Sequence, residues 1–236
     1  MHTQFDYYYN NVPGKGLCRN NLIYTSLISK DRKTFCQWYY NDKNYHGGHN
    51  EVVDSKLMEE KWHREVKFLC TMAKHYPEHV PTIDTIDHIN KKIYFDIDGV
   101  DFWEQAQCSQ NNYSKILPDW QEQMLEIIQA HADLGIYKYS MHPSSYFVVN
   151  GKLKSINYFF CYTDEDTPIS LTDVMSHISI NRRQSLFPKM EELSIDIDKP
   201  TPFYNIQKLA FESFKTDFPA DVMDRACSIY KNTTKI

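Results

Sequence analysis

Residues 134 to 161 read Leu134-Gly135-Ile136-Tyr137-Lys138-Tyr139-Ser140-Met141-His142-Pro143-Ser144-Ser145-Tyr146-Phe147-Val148-Val149-Asn150-Gly151-Lys152-Leu153-Lys154-Ser155-Ile156-Asn157-Tyr158-Phe159-Phe160-Cys161. The run starts as the end of a helix and passes through a polar loop with one proline. A short apolar strand follows, then Asn150-Gly151, then a second strand that ends in Asn157 and aromatics. Asn-Gly between two β-favouring runs is a strong short-range hairpin signal, because both residues tolerate the positive φ of a tight turn. The order is therefore helix, loop, hairpin, loop.

Upstream of this stretch, Pro118-Asp119 opens a helix from Trp120 to Leu134. Trp120, Met124, Ile127, Ile128, His131 and Leu134 fall on one stripe, which makes His131 a core residue. A short helix is expected around Phe102 to Gln107. Before it, Ile83 to Ile89 and Ile93 to Ile97 form a hairpin around Asn90-Lys91-Lys92. Ile93, Phe95 and Ile97 alternate with Tyr94 and Asp96, so one face is buried. A helix capped by Asp54 or Ser55 carries Met58, Trp62, Leu69, Met72 and Tyr76 at helical spacing and stops at Pro77. Residues 1 to 50 are β-rich, with an aromatic run at Phe5 to Tyr9. Strands are expected at Leu22 to Ile28 and Thr34 to Tyr40, joined by the polar loop Ser29 to Lys33. Beyond Cys161, helices are expected at Leu171 to Ile178, Ile206 to Phe214 and Asp221 to Tyr230.

A chain of 236 residues can bury one large core or two small lobes. It holds no apolar run near the roughly 18 residues of a membrane span, so no membrane partner is expected. The start, Met1-His2-Thr3-Gln4-Phe5-Asp6, has no basic-then-apolar leader. Six scattered cysteines suggest reduced thiols and a cytoplasmic setting. A net charge of −5 argues against a general nucleic-acid binder. Only 7 glycines are present, and a phosphate-cradling loop draws on glycine.

The central stretch resembles the catalytic core of protein kinase-like proteins, where the loop reads His-Arg-Asp-x-x-Pro-x-Asn and the second strand ends in Asp-Phe-Gly. Pro143 matches the proline. Lys138 falls where the His would be, Ser140 on the catalytic Asp, Ser145 on the metal-binding Asn, and Asn157 on the Asp of Asp-Phe-Gly. Strands, one helix and then a hairpin is also the order of the small lobe in that family. The resemblance covers about residues 20 to 190. It implies an α+β, bilobal kinase-like fold, with a β-rich N-lobe plus one helix over residues 1 to 98. A reduced, mainly helical C-lobe would occupy residues 99 to 236. The phrase Trp62-His63-Arg64-Glu65-Val66-Lys67-Phe68-Leu69 and the short second lobe are similar to the small kinase-like proteins of tailed bacteriophages. That narrower likeness implies expression in a host cytoplasm.

The frame matches and the chemical groups do not. Phosphoryl transfer needs metal-held phosphates, a cation on them and an oriented acceptor. Asn157 and Ser145 are neutral metal ligands, and Ser140 cannot act as a carboxylate base. The strand before the long helix holds no lysine; Gln37 or Trp38 stands there. Glu65 would pair with that lysine in the family. Here its partner is Lys138, another base or a structural contact, or it faces solvent. Lys15, in Gly14-Lys15-Gly16, is either a stand-in cation on a remnant phosphate loop or part of a plain turn. His142 is a weak base or a surface residue. His46 and His49 lie in a polar loop and lack two further zinc ligands nearby. Asp164, Glu165 and Asp166 either rescue metal binding or form a solvated acidic loop. Arg182 and Arg183 are a phosphate contact or plain surface. Tyr158, Phe159 and Phe160 read as packing aromatics.

The function so implied is a pseudokinase, a binding or regulatory module with a protein partner and no catalysis. Two alternatives stay open: an unconventional ATP-dependent phosphotransferase on a protein or small molecule, and an unrelated α+β interaction protein. The cofactor is ATP with Mg2+, or none.

Overall fold

The computed structural model describes residues 5–7, 25–29, 33–39, 55–97, 99–109, 112–138, 143–159, 161–163, 165 and 220–233. The fold is α+β, with several small antiparallel sheets. The chain divides into two compact units. One comprises Met1–Glu104 and Tyr146–Phe159, the other Gln105–Ser145 and Phe160–Ile236.

In the first unit, strands β1 (Phe5–Tyr7), β2 (Thr25–Ser29), β3 (Thr34–Trp38), β4 (Thr82–Asp87) and β5 (Lys92–Asp96) form one antiparallel sheet. Its order is β1-β2-β3-β5-β4. The turn between β2 and β3 is fixed by Ser29, whose Oγ accepts from the backbone N–H of Lys33 and Thr34 at 3.1 and 2.9 Å. On β5 the expected alternation holds. Ile93, Phe95 and Ile97 are fully buried, whereas Asp96 is exposed.

Helix α1 (Ser55–His75) lies between β3 and β4 in the chain. Its buried positions are Met58, Lys61, Trp62, Glu65, Phe68, Leu69 and Met72, steps of three and four that keep one face inward. The helix ends two residues before Pro77, which opens a 3-10 turn at Pro77–His79. A proline there has no N–H to donate back into the helix.

A second, three-stranded sheet of the same unit runs β6-β8-β9. It joins β6 (Gly99–Asp101) to the hairpin of β8 (Tyr146–Val149) and β9 (Lys152–Ser155). Asn150 and Gly151 turn the hairpin with φ of 51° and 71°. This is the left-handed pair that the Asn-Gly dipeptide predicts. β6 falls just before the expected short helix and was not foreseen. It has three residues and is defined by pairing with β8, from Gly99↔Val149 to Asp101↔Phe147. A lone tripeptide carries no readable alternation.

The second unit is built on α4 (Trp120–Asp133), with Trp120, Met124, Ile127, Ile128 and His131 buried as the stripe predicts. Leu134 is only half-buried, because it has become the C-cap residue. Gly135, at φ 63°, closes the helix: its N–H donates to Ala132 O, and the N–H of Ile136 donates to His131 O. These are the two bonds of a Schellman cap. The same unit holds most of α2 (Phe102–Cys108), with α3 (Tyr113–Ile116), α5 (Ala220–Thr233) and the pair β7 (Tyr137–Lys138) with β10 (Cys161–Tyr162). α5 covers the helix expected at Asp221 to Tyr230 and packs on α4. The helices expected at 171–178 and 206–214 lie outside the described residues.

Candidate functional site

Strand β3 sets the geometry of the first unit's polar centre. Its alternate residues Phe35, Gln37 and Tyr39 are all buried. Phe35 meets Phe147 of β8, ring centroids 5.0 Å apart. Tyr39 meets Trp62 of α1 at 5.5 Å and Phe159 at 6.4 Å, both edge-on. Between these two aromatic contacts sits Gln37. Its Nε2 donates to Oδ1 of Asn157 at 2.7 Å, across 120 residues of sequence. Both residues are completely buried. Two of the candidate residues, Gln37 and Asn157, are thus in direct contact.

Asn157 follows β9 by two residues and adopts φ 65°. Asparagine tolerates this left-handed conformation better than most side chains. The conformation turns the chain out of strand geometry and leads it to α1. There the N–H of Phe159 donates to Oε2 of Glu65 at 2.8 Å. Glu65 is fully buried, so the solvent-facing alternative for it does not hold. Tyr158 and Phe159 are buried as packing aromatics.

Trp38 differs from Gln37 by one position and therefore by one face of the sheet. It is half-buried, with Nζ of Lys92 4.2 Å from its ring centroid. Lys92, its partner in that cation–π contact, is itself half-buried. Cys36 shares the strand, and burial pushes its thiol up to about 12. A thiol so raised holds almost no thiolate at neutral pH.

In the second unit, Lys138 on β7 and Ser145 at the end of a 3-10 turn (Pro143–Ser145) are both fully buried. Glu165 is exposed. Lys15, Ser140 and His142 lie outside the described residues, as do Asp164, Asp166, His46, His49, Arg182 and Arg183.

Lys61 was not anticipated. Its side chain is 2% exposed, one helical turn before Glu65 on the inner face of α1. The signal was present in the sequence: position 61 falls between Met58 and Glu65 on the buried arc. A lysine there is easily assigned to solvent because its type is seldom buried.

Chemically, the Gln37–Asn157 contact is a neutral amide pair. It carries no charge to set against a phosphate. The Asn157 oxygen is already engaged by Gln37, and a carboxamide oxygen is a weaker ligand for magnesium than a carboxylate. The second oxygen of the pair, Gln37 Oε1, is buried without a hydrogen-bond partner among the described residues, as is Ser155 Oγ. Among the described residues no group of three or more His, Cys, Asp or Glu side chains is placed to hold a metal, and no helix is long and apolar enough to cross a membrane.

No protein-family model matches the chain, and no curated protein sequence matches it. Solved structures do. A medium-resolution structure of the bifunctional kinase-methyltransferase WbdD is 14% identical over 99% of this chain and 51% of that one, with a TM-score of 0.44. A high-resolution crystal structure of WbdD is 13% identical over 98% and 50%, with a TM-score of 0.44. A crystal structure of monomeric WbdD is 15% identical over 90% and 49%, with a TM-score of 0.45. The chain spans about half the length of these solved structures.

Proposed function

We propose that this chain is a kinase-like protein with a degenerate site, acting as a binding or regulatory module rather than as a phosphotransferase. The observation that carries this reading is the Gln37–Asn157 hydrogen bond of 2.7 Å. In a working kinase-like site, a strand lysine serves the phosphates and an aspartate serves the metal. Here both positions are carboxamides, and they are bonded to each other. The five-stranded order β1-β2-β3-β5-β4, with one helix between the third and fourth strands, supports the fold part of the reading. The donor set fits a nucleotide held without a firmly bound magnesium ion. Loss of charged transition-state contacts commonly removes two or more orders of magnitude in rate. On this reading the module's partner is a protein.

The test is thermal unfolding of the full chain with ATP, with magnesium, and with both. A ligand that binds only the native state raises its stability with the logarithm of concentration over Kd. A shift with ATP that magnesium does not enlarge is the expected result. A shift that requires magnesium would overturn the reading in favour of the phosphotransferase. The absence of any shift would remove the nucleotide from it.

A further inference from the structure

Strand β4 closes one end of the five-stranded sheet, with β5 on one side of it and, among the described residues, no strand on the other. A strand in that place presents a row of outward N–H and C=O groups with which another extended chain can pair. Thr82, Asp84 and Thr85 are exposed along it. Its sequence, Thr82-Ile83-Asp84-Thr85-Ile86-Asp87, carries two carboxylates and no cation. Asp84 sits at a bulge: the register with β5 steps from Ile83↔Phe95 to Thr85↔Tyr94, which leaves Asp84 without a partner on β5. Asp84 Oδ2 accepts from the hydroxyl of Thr85 at 3.2 Å, a contact that does not neutralise the carboxylate. The two lysines at the end of the turn are engaged elsewhere. Lys91 Nζ lies 2.9 Å from Glu59 Oε1, and Lys92 Nζ lies over the Trp38 ring. Two residues past the strand, Ile89 is 92% exposed, the one large apolar side chain so placed among the described residues. Its backbone is held, because its N–H donates to Asp87 Oδ1 at 3.0 Å. An apolar side chain on a fixed backbone gives up little freedom when a partner covers it.

We propose that β4 is a docking edge for an extended, basic segment of a partner protein, which adds to the sheet as a further strand and covers Ile89. In strand addition of this kind, main-chain pairing supplies affinity and side chains at alternate positions supply selectivity. Here the selectivity is one of charge. A second copy of this chain would bring the same two carboxylates against the first, and like charges across a strand pair are destabilising. The charged bulge thus discourages pairing between copies and favours a strand that carries lysine or arginine. The edge stands whether or not a nucleotide binds, so its occupancy does not rest on the degenerate-site reading.

The experiment titrates the isotope-labelled full chain with two synthetic peptides of about nine residues, long enough to lie along β4 and reach Ile89. One alternates valine with lysine and the other alternates valine with glutamate. Amide NMR signals are followed. The lysine peptide should move the signals of Thr82 to Asp87 and of Ile89 in a saturable way and slow hydrogen exchange at the outward amides of β4. The glutamate peptide should leave them in place. Asp84→Lys should reverse the preference between the two peptides. Ile89→Ser should weaken the lysine peptide by about tenfold or more while leaving the denaturant midpoint unchanged, because the side chain is exposed in the free protein. Equal responses to both peptides, or a basic preference that survives Asp84→Lys, would overturn the charge assignment and the proposal with it. So would signals that move only outside β4, or no movement at about millimolar peptide. Shifts of the β4 amides with protein concentration alone would replace the basic partner by a second copy of this chain, and the proposal would fall.

Discussion

The first unit contains two hairpins that differ in what they bury. The β4–β5 hairpin places Ile93, Phe95 and Ile97 inward and leaves its polar groups at the turn or outside. The β8–β9 hairpin buries Tyr146, Phe147 and Leu153 at first, but toward its end it buries Ser155 and then Asn157. Both are joined by short turns and both belong to antiparallel sheets. The first is therefore framework. The second delivers a polar side chain to the middle of the unit, where Gln37 meets it. A protein buries amides at a point where apolar residues would pack more cheaply only if something holds them in register.

The framework hairpin should show the largest loss when cut. Phe95 is fully buried and paired with both Phe35 and Ile83 across the sheet. Its ring lies 6.1 Å from that of Phe35. Phe95→Ala should lower stability by about 4 kcal/mol, the range for a large core side chain that leaves a cavity. Denaturant midpoints measure this. A loss below about 1 kcal/mol would mean that the sheet repacks freely, and the division between framework and polar delivery would fail.

Asn157 tests the second hairpin at intermediate size. Asn157→Ala strips the acceptor from Gln37 Nε2 and places alanine at φ 65°. A buried donor left without its partner costs about 1 to 3 kcal/mol, and the left-handed backbone adds about 1. Asn157→Gly removes the same acceptor and relieves the backbone, so it should recover the smaller part only. If glycine restores full stability, the hydrogen bond contributes nothing and the pair is incidental to the fold. Combining Gln37→Ala with Asn157→Ala in a double-mutant cycle isolates the coupling, expected near 1 kcal/mol.

The contrast also explains what could be read in the chain before the structure. Alternation at Ile93, Phe95 and Ile97, the stripe on α4 and the Asn150-Gly151 turn are local patterns, and each was legible from its own ten or so residues. Gln37 and Asn157 were each singled out by their place in the frame, yet their contact spans 120 positions and depends on how β3 aligns with the end of β9. No periodicity encodes that. β6 and the two-residue strands β7 and β10 are too short to carry a pattern and exist only through pairing. Lys61 was hidden for a different reason: the residue type argued for solvent, while its position on the helical arc argued for the core. Position prevailed, as it does when neighbours at three and four residues are buried.

The two turns give the smallest and most selective test. In the β4–β5 turn, Asp87 Oδ1 accepts from the N–H groups of Ile89 and Asn90 at 3.0 and 2.9 Å, and Oδ2 accepts from Asn90 Nδ2 at 2.7 Å. The side-chain bond from Asn90, followed by the backbone bond from the same residue, holds the Asp87 carboxyl below its ordinary value of 3.8. A depressed folded value means that the contribution is complete above the ordinary carboxylate range and is lost as pH falls through the folded value. The β8–β9 turn depends on the conformations of Asn150 and Gly151 and has no titrating group in its two central positions. Acid titration followed by NMR should therefore move the amide signals of Ile89 and Asn90 with a midpoint below 3.8, and leave those of Asn150 and Gly151 unchanged over the same range. Asp87→Asn should abolish the first response. If both turns titrate together, acid is opening the whole unit at once, and the two hairpins share one stability instead of two local ones.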